Sequence, residues 1–480
     1  QAGCPAWELC KALRLQGSPI MSGSNKSTTT VGGRLHDLLL GEADVAAQFN
    51  AAVQLQMMLD VEAALAEAEA SVGVIPASCV APIRAAARAD LYDHAVIAAE
   101  MAHGGIPAVP VVRHLTQRVA ETDPVAARYV HWGATSQDIM DTGLVLQLRT
   151  SVPTVCAHLA SASDAAAELA RRYADTPMIG RTWMQQATPI TFGLKAAGWL
   201  DALVRVRSRL QAALEEALVL QFGGATGTLA SLGTDGPAVA AALAERLGLR
   251  VADTPWHSHR DRLAQLACAL GVASGTLGKI ARDLGLLAQT EVSEAWEQPV
   301  DGRGASSTMP HKRNPVGASV ALAAATRAPG LVATVLGAMV HEHERGLGAW
   351  QAEWDALPDL VVVSAAGSQA VAGALGGLVV DPERMRENAD ATGGLALAES
   401  AAMALAPALG KAEAHACVEA ACRRARQERR PLADVLADDP LVTQHLDGAA
   451  IARCLTPEHY LGATRVFIDR VLSRYAERGR

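Results

Sequence analysis

Residues 256–298 read "WHSHRDRLAQLACALGVASGTLGKIARDLGLLAQTEVSEAWEQ", an uninterrupted stretch between Pro255 and Pro299. Within it large aliphatic residues recur at steps of three, four and seven, the spacing of one face of an α-helix. They are Leu263, Leu266, Leu270, Leu277, Ile280, Leu284 and Leu287. The pattern predicts a helix of about 35 residues, roughly 50 Å long. Such a helix cannot bury its stripe alone, so it must pack against other helices.

Two further stretches have the same period. Residues 192–220 read "FGLKAAGWLDALVRVRSRLQAALEEALVL", and residues 142–175 read "TGLVLQLRTSVPTVCAHLASASDAAAELARRYAD", with a predicted helix start at 138–142. Patterns that alternate apolar and polar residues, as half-buried strands do, are scarce. The sequence therefore predicts an all-α protein built around a bundle of long helices, with association between subunits.

Composition divides the chain into three predicted helical domains. Prolines break residues 31–130 into shorter helices, residues 131–380 contain the long-helix bundle, and residues 381–480 contain shorter, more charged helices. Residues 1–30 are predicted to be an extension and flexible arm, because Met21 resembles a natural start and no signal-peptide pattern precedes it.

The segment from Leu360 to Val380 contains no charged residue and is long enough to cross a bilayer. It contains several glycines and polar residues and lacks aromatic anchors or a basic flank. This favours a buried helix of the bundle over a membrane span.

The charge balance argues against several classes of partner. The chain has 42 Lys and Arg against 50 Asp and Glu, a net charge of −8, which favours neither a nucleic acid nor an anionic membrane as partner. Its eight cysteines lack metal-binding or redox spacing, which predicts reduced thiols in the cytoplasm. There is no Gly-rich phosphate loop or nucleophile elbow, and no motif implies a metal or an organic cofactor.

One polar segment interrupts this aliphatic chain at residues 304–315, "GASSTMPHKRNP". It suits a loop better than a helix, and it could be a mobile lid in which Ser306 and Ser307 accompany Lys312 and Asn314 as donors toward a carboxylate. A solvent-exposed turn with incidental charge is an equally good interpretation of composition alone.

Three more polar clusters stand out, at residues 131–143, 180–195 and 341–359. In the first, "HWGATSQDIMDTG", Thr135 and Ser136 open a helix, either as caps or as part of an anion-binding helix N-terminus. The third contains "HEHER", whose histidines, His341 and His343, would point in different directions on a helix. That favours a solvated surface over a metal site.

The decamer "SSTMPHKRNP" closely resembles the signature of the superfamily of fumarase, aspartase, argininosuccinate lyase and adenylosuccinate lyase. Together with "HWGATSQDIMDTGLVLQL" and "HEHERGLGAWQAEWDALPD", it is most similar to the 3-carboxy-cis,cis-muconate cycloisomerase family of bacteria, over most of residues 35–475. The resemblance implies an all-α homotetramer whose active sites combine segments of three subunits. It also implies the lactonisation of 3-carboxy-cis,cis-muconate, a tricarboxylate, to 4-carboxymuconolactone in protocatechuate (β-ketoadipate) catabolism.

The resemblance also implies roles for individual residues. Ser306 would transfer the proton, while Lys312 and Asn314 would hold the substrate carboxylate and its enolate-like intermediate. Ser307 would support the signature loop, residues 301–316. The expected substrate contacts are Thr135, Ser136, Trp183, Gln185 and Arg345.

The chain departs from the superfamily pattern at Trp183, where a histidine commonly assists the leaving group, and at Ala305, where glycine is usual. The tryptophan can be explained by leaving-group chemistry. A muconolactone opens by expelling a carboxylate, whose conjugate acid has a pKa of about 4 and which needs no general acid. One proton-transfer residue, Ser306, then suffices.

The alternative is adenylosuccinate lyase, which shares the "MPHKRNP" spelling, or another lyase of the same superfamily. After the motif at 341–345, however, this chain has "GLGAWQAEW" at 346–354, where adenylosuccinate lyases place hydroxyl and arginine residues for a phosphate. A non-catalytic structural member, such as a lens crystallin, is disfavoured because Ser306, Lys312 and Asn314 are all present.

Overall fold

The computed structural model describes residues 35–300, 302–306 and 308–478. The predicted extension at residues 1–30 lies outside the described residues. Helices dominate the rest, and the all-α prediction is confirmed.

The N-terminal part consists mostly of short helices around one long one. They are α1 (Asp37–Leu40), α2 (Ala43–Ala47), α3 (Ala51–Val72), α4 (Val80–Ala86), α5 (His94–Gly104) and α6 (Ala108–Ala120). Asn50 begins α3 as its cap, since its side chain accepts a hydrogen bond from the backbone N–H of Val53.

The central part contains long helices and two small antiparallel β-ribbons. The helices are α7 (Ser136–Arg172), α8 (Phe192–Ala217), α9 (Gly236–Leu247), α10 (Asp261–Leu287), α11 (Val316–Gly337) and α12 (Ala349–Gly376). Strands β1 (Pro177–Thr182) and β2 (Gln185–Thr191) form a hairpin, and β3 (Ala295–Glu297) pairs with β4 (Leu378–Val380).

The C-terminal part returns to shorter helices. They are α13 (Pro382–Asp390), α14 (Ala398–Leu409), α15 (Lys411–Glu428), α16 (Leu432–Ala437), α17 (Pro440–Thr443), α18 (Gly448–Cys454) and α19 (Thr464–Arg478). Several of them enclose a second, smaller apolar core around Leu405, Leu432 and Val435, separate from the main core of the bundle.

Helix α10 confirms the predicted apolar stripe but not its predicted length. It has 27 residues and not about 35, and every residue of the stripe is buried. The flanks of the stretch have other partners: the backbone N–H of Trp256 donates to Gln221 Oε1 over 2.6 Å, and residues 295–297 are strand β3. These contacts compete with continued helix at both ends.

Helices α10, α11 and α12 are each long and apolar enough to cross a bilayer by length and composition. In the structure they pack on one another. Leu360, Val361 and Val371 of α12 are completely buried. The uncharged segment from Leu360 is thus a bundle helix, as predicted, although its last residues form β4.

The bundle has two ends, and the chain passes between them repeatedly. Helices α7, α10 and α12 begin at the end that carries Thr135, hereafter the Thr135 end, where His257 and Trp350 contact the start of α7. Helices α8 and α11 begin at the opposite end, hereafter the hairpin end, which carries the β1–β2 hairpin. Since α7 has 37 residues, the two ends lie roughly 55 Å apart.

Candidate active site

At the Thr135 end, Thr135 caps α7 and Asp138 organises the surrounding backbone. The Asp138 carboxylate is buried and accepts a hydrogen bond from the Thr135 backbone N–H over 3.0 Å. It also accepts from the backbone N–H groups of Gly223 and Gly224, both over 2.9 Å, and lies 2.7 Å from His257 Nε2. These bonds fix the loop after α8 against the first turn of α7.

Arg345 reaches the same place from the loop between α11 and α12. Its Nη2 donates to Thr135 Oγ1 over 3.2 Å and to the carbonyl oxygen of Ala225 over 3.1 Å. Its Nε is buried and has no hydrogen-bond partner among the described residues. A guanidinium with a spare donor beside a helix N-terminus favours an anionic ligand.

Beneath these residues lies a buried charged cluster that the sequence did not reveal. Arg260, 1% exposed, donates to both oxygens of Asp141 and to both oxygens of Glu353, and Trp350 Nε1 donates to Asp141 Oδ1 over 3.1 Å. Burial opposes the charge of Arg260, but the two carboxylates outweigh it and raise its pKa. The cluster joins the N-terminal parts of α7 and α12 to the start of α10.

The interpretation of "HEHER" as a solvated helical surface is wrong for His341. This residue lies in a loop, and its side chain is completely buried 3.8 Å from Glu353, where burial lowers its pKa. Gly346 packs against its ring so closely that a Cβ there would lie 2.7 Å from it. His343, in the same loop, is exposed.

At the hairpin end, the turn between β1 and β2 presents Trp183 to solvent. Trp183 and Met184 have φ angles of 50° and 63°, and Trp183 is 96% exposed. Gln185, at the start of β2, is exposed as well. Trp183 and Met184, the latter 74% exposed, therefore form an apolar tip on the hairpin that this chain does not cover.

A buried clamp holds this hairpin in place. Arg181 forms two hydrogen bonds to the fully buried carboxylate of Glu294, over 2.6 and 2.8 Å. Asn388 donates to the same carboxylate over 2.8 Å, and its carbonyl oxygen accepts from Gln186 over 3.0 Å. The hairpin is thereby tied to β3 and α13.

The signature loop also lies at the hairpin end, between β3 and α11. Its base closes through an Asn314 backbone N–H bond to the Gly304 carbonyl oxygen, over 2.9 Å. Gly304 has a φ of 71°, and a Cβ there would lie 2.5 Å from Asn314 O, so only glycine fits. Glu297 accepts from the backbone N–H groups of Gly317 and Ala318, which anchors the start of α11.

Within this loop, the Ser306 hydroxyl oxygen accepts hydrogen bonds from the backbone N–H groups of Thr308 and Met309, over 3.3 and 3.0 Å. The side chains of Lys312 and Asn314 are exposed. Ser307, the expected support of the loop, lies outside the described residues. The loop therefore carries one hydroxyl with two backbone donors, beside a lysine and an amide.

The expected site residues fall into two groups. Thr135, Ser136 and Arg345 lie together at the Thr135 end, while the hairpin end carries Trp183, Gln185, Ser306, Lys312 and Asn314. Among the described residues, no hydrogen bond or ion pair joins a residue of one group to a residue of the other. In one chain the expected site residues therefore form two separate groups, hereafter the half-sites, at opposite ends of the bundle.

This loop and the bundle of long helices agree with the resemblance of "SSTMPHKRNP" to the signature of the fumarase and aspartase superfamily, which consists of enzymes. The family described as Lyase matches residues 41–330, and the family described as Adenylosuccinate lyase C-terminus matches residues 394–471. The chain belongs to this superfamily and, within it, to the family of 3-carboxy-cis,cis-muconate cycloisomerases.

Individual relatives agree with this assignment. The 3-carboxy-cis,cis-muconate cycloisomerase of Pseudomonas aeruginosa is 51% identical over 442 residues, 92% of this chain and 96% of the relative. That of Bradyrhizobium diazoefficiens is 50% identical over 418 residues, 87% of this chain and 93% of the relative. The crystal structure of the 3-carboxy-cis,cis-muconate lactonizing enzyme from Pseudomonas putida has a TM-score of 0.88 at 47% identity, over 93% of this chain and all of that one.

Proposed function

We propose that the protein converts 3-carboxy-cis,cis-muconate to 4-carboxymuconolactone by intramolecular lactonisation. The observation that carries the proposal is the contrast between Ser306, a hydroxyl held by two backbone donors, and Trp183, an indole where related lyases place a histidine. Such a site suits a reaction with one proton transfer to carbon and no acid for a leaving group.

Lactonisation needs one new C–O bond and one new C–H bond. A substrate carboxylate, ionised at neutral pH because its pKa is about 4, adds to one carbon of the diene. The neighbouring carbon becomes an enolate-like carbanion conjugated with another carboxylate, and then takes a proton. No atom leaves, so the reaction is an isomerisation.

Ser306 is the proposed proton-transfer residue. Hydrogen bonds from the N–H groups of Thr308 and Met309 to its oxygen stabilise the alkoxide more than the neutral hydroxyl, which lowers the cost of giving up the proton. Lys312 and Asn314 would donate to the carboxylate that accumulates charge. Ser307 would support the loop around them.

The other half-site would bind the remaining carboxylates. Thr135 and Ser136 offer a helix N-terminus, and Arg345 adds a guanidinium whose Nε has no partner in the described part of the chain. Trp183 and Gln185, from the hairpin end, would contact the diene and a carboxylate.

Because the half-sites lie at opposite ends of one chain, a complete site needs at least a second copy. Apolar side chains also remain exposed on the bundle surface, with Val272 of α10 51% exposed and Leu336 of α11 44% exposed. Both observations support self-association, and the family resemblance extends it to a homotetramer in which each site combines segments of three subunits.

The remaining features of the proposal concern organisation and location. We assign an N-terminal domain to residues 31–130, the bundle to 131–380 and a C-terminal domain to 381–480. The partners are a small tricarboxylate and further copies of the chain, with no nucleic acid or membrane, and the location is the cytoplasm. The net charge of −8 supports this choice of partners.

The contacts of Trp350 do not favour adenylosuccinate lyase chemistry. Trp350 is 2% exposed, bonds to Asp141 and packs edge-on against Trp354 with 5.1 Å between ring centroids. These indoles occupy the segment where an adenylosuccinate lyase holds a phosphate, so they leave no hydroxyl or arginine for it.

The test is ultraviolet absorbance during incubation with 3-carboxy-cis,cis-muconate, whose conjugated diene is lost on lactonisation. We expect a fall in absorbance that depends on the concentration of the protein, and no reaction with adenylosuccinate. Stable absorbance with the muconate, together with cleavage of adenylosuccinate, would overturn the proposal.

A further inference from the structure

The loop between α11 and α12 turns back on itself at residues 341–348. The backbone N–H of Arg345 donates to the carbonyl oxygen of Glu342 over 3.1 Å, and the backbone N–H of Leu347 donates to Glu342 Oε2 over 2.8 Å. Glu342 itself is exposed. These bonds determine the shape of the turn, but its position on the bundle requires contacts with buried groups.

His341 provides such a contact. Its side chain is completely buried, although most of the loop around it is exposed. Gly346, the residue after Arg345, packs against the imidazole ring. A Cβ at Gly346 would lie 2.7 Å from His341 Cγ and 2.9 Å from Cδ2, which is closer than a methyl group can approach. The backbone directly after Arg345 therefore rests on this ring.

The imidazole of His341 makes this contact through its shape. Neither ring nitrogen has a hydrogen-bond partner among the described residues. A buried polar group without a partner lowers the free energy of unfolding, so such a group calls for an explanation other than stability. The contact with the loop that carries Arg345 offers one.

Charged groups face the ring from the helices beneath the loop. Arg260 lies just before α10, Asp141 belongs to α7, and Glu353 of α12 has Oε1 3.8 Å from the ring Nε2. Both carboxylates are already bonded to Arg260. Burial and the charge of Arg260 lower the pKa of the imidazole from its ordinary value of 6.5, and outweigh the charges of Asp141 and Glu342 and the backbone of His257. The ring is therefore neutral at pH 7.

We propose that His341 is the positioning residue of Arg345: the neutral imidazole fills the space beneath Gly346 and so holds the neighbouring guanidinium against Thr135. This inference rests on the proposed function, in which Arg345 binds a carboxylate of the substrate, and extends it to the residue that keeps Arg345 in place. His341 itself would not touch the substrate.

Acid should release the loop. A proton on His341 would place a second cation beside Arg260 in a closed space, whereas a displaced loop would leave the imidazole in solvent with its ordinary pKa of 6.5. The displaced loop therefore binds the proton more tightly. The stability of the seated loop is present above pH 6.5 and is lost as the pH falls below it, so KM should rise in acid.

The first test compares two substitutions of His341 by their KM for 3-carboxy-cis,cis-muconate at pH 7. His341→Ala empties the space beneath Gly346, so KM should rise about tenfold, the loss of one charged hydrogen bond, with kcat changed by less than about threefold. His341→Leu has a similar volume and needs no hydrogen-bond partner, so its KM should stay within about threefold of wild type.

His343→Asn is the matched control. His343 lies in the same loop, but it is exposed and has a φ of 49°, which asparagine tolerates. This variant should retain the KM of the wild type.

A second substitution tests the contact between the ring and the loop directly. Gly346 does not have a positive φ, so alanine is compatible with its backbone. Gly346→Ala places a methyl group against the ring and should raise KM. In the double variant with His341→Ala, this methyl group enters the space that the ring leaves. Its KM should therefore be lower than that of either single variant, a coupling expected of residues in contact.

The pH dependence of KM tests the effect of protonation. Between pH 7.5 and 5.5 the carboxylates of the substrate, with a pKa of about 4, stay ionised. The KM of the wild type should rise below pH 6.5, whereas the KM of His341→Leu should stay constant, because leucine binds no proton. A purely structural role of His341 would not produce this difference.

Circular dichroism and the elution volume of the assembled enzyme check that each variant folds. An unchanged KM in His341→Ala, with normal turnover of the wild type, would overturn this inference and leave the proposed function intact. A KM in His341→Leu as high as in His341→Ala would also overturn it, because shape would not explain the effect. Equal pH profiles in His341→Leu and the wild type would exclude the release of the loop by acid. Absence of wild-type turnover would overturn the proposed function, and this inference with it.

Discussion

Arg260 and Glu353 form an ion pair that is closed to solvent on both sides. Nη2 and Oε2 are 2.6 Å apart, and each side chain is 1% exposed. Asp141 occupies the other edge of the guanidinium at 2.6 and 3.0 Å, so one arginine joins the helices that build the Thr135 end. A single guanidinium therefore serves both buried carboxylates.

Arg260→Met should therefore destabilise the protein severely. It leaves two buried carboxylates without a cation, and breaking a buried pair in this way costs about 3–5 kcal/mol in the free energy of unfolding. Urea denaturation followed by circular dichroism measures the change. Arg423→Met, which removes an exposed pair with Glu419, is the control and should cost less than about 1 kcal/mol. Equal losses in the two variants would contradict this prediction.

Ser306→Ala should abolish turnover without loss of the fold. If Ser306 transfers the proton, kcat should fall by at least about 10²-fold, measured as loss of diene absorbance. Ser319→Ala removes an exposed hydroxyl that bonds only to the Val316 carbonyl oxygen, and should retain full activity. A near-normal kcat in Ser306→Ala would exclude Ser306 as the proton-transfer residue.

Trp183→His tests the leaving-group argument. Since a carboxylate needs no general acid, a histidine here should not accelerate the reaction, and kcat should stay within about tenfold of wild type. Stopped-flow absorbance separates this step from binding, and Met184→Ala controls for changes to the turn. A hundredfold increase in kcat would show that the site does use a second proton donor.

Mixing two inactive variants tests whether a site is shared between chains. Ser306→Ala damages one half-site and Arg345→Met the other. If equal amounts of the two variants are dissociated and reassembled together, about a quarter of the shared sites should receive both intact halves, which restores about a quarter of the activity. Ser306→Ala mixed with Lys312→Met is the control. Both changes lie in the signature loop, so every chain in this mixture carries a damaged loop and no site can be complete. Equal activity in both mixtures would contradict sharing.

The raised pKa of Glu69 predicts how the free energy of unfolding depends on pH. In the unfolded chain this carboxyl loses its proton near its ordinary pKa of 4.5, and in the folded chain only near 9. The unfolded state then binds fewer protons between these values, so this group lowers stability as the pH rises.

Glu69→Gln should therefore be more stable than wild type, by a margin that grows between about pH 5 and 8. Urea denaturation at several pH values measures it. Glu121→Gln, on an exposed side chain, is the control and should show no such trend. A constant difference across the pH range would mean that Glu69 titrates normally.

The long helices could be predicted because the apolar residues of each one recur at helical spacing within its own sequence. Leu263 and Leu284 lie on one stripe whatever the stripe packs against, and Thr135 is recognisable as a cap from its neighbours. The β1–β2 hairpin was not predicted, because its strands are held by distant partners such as Glu294 and not by local alternation.

Much of the candidate site depends on pairs far apart in the sequence. Arg260 and Asp141 are 119 positions apart, and His131 and Glu62 are 69 apart, so no local pattern links them. One signal was present: Glu62 and Glu69 are seven apart and share a face of an apolar helix. Charged residues at that spacing in a buried stripe indicate a partner from elsewhere.

The length of α7 has a consequence for evolution. Because α7 runs the whole distance between the half-sites, a residue inserted in its middle would turn one end relative to the other by about 100° and move it by about 1.5 Å. In the proposed assembly, the half-sites of neighbouring copies could then no longer meet in register. We therefore expect evolution to tolerate insertions and deletions in the loops of this protein. In the bundle helices, a change in length by one residue would separate the parts of the proposed site.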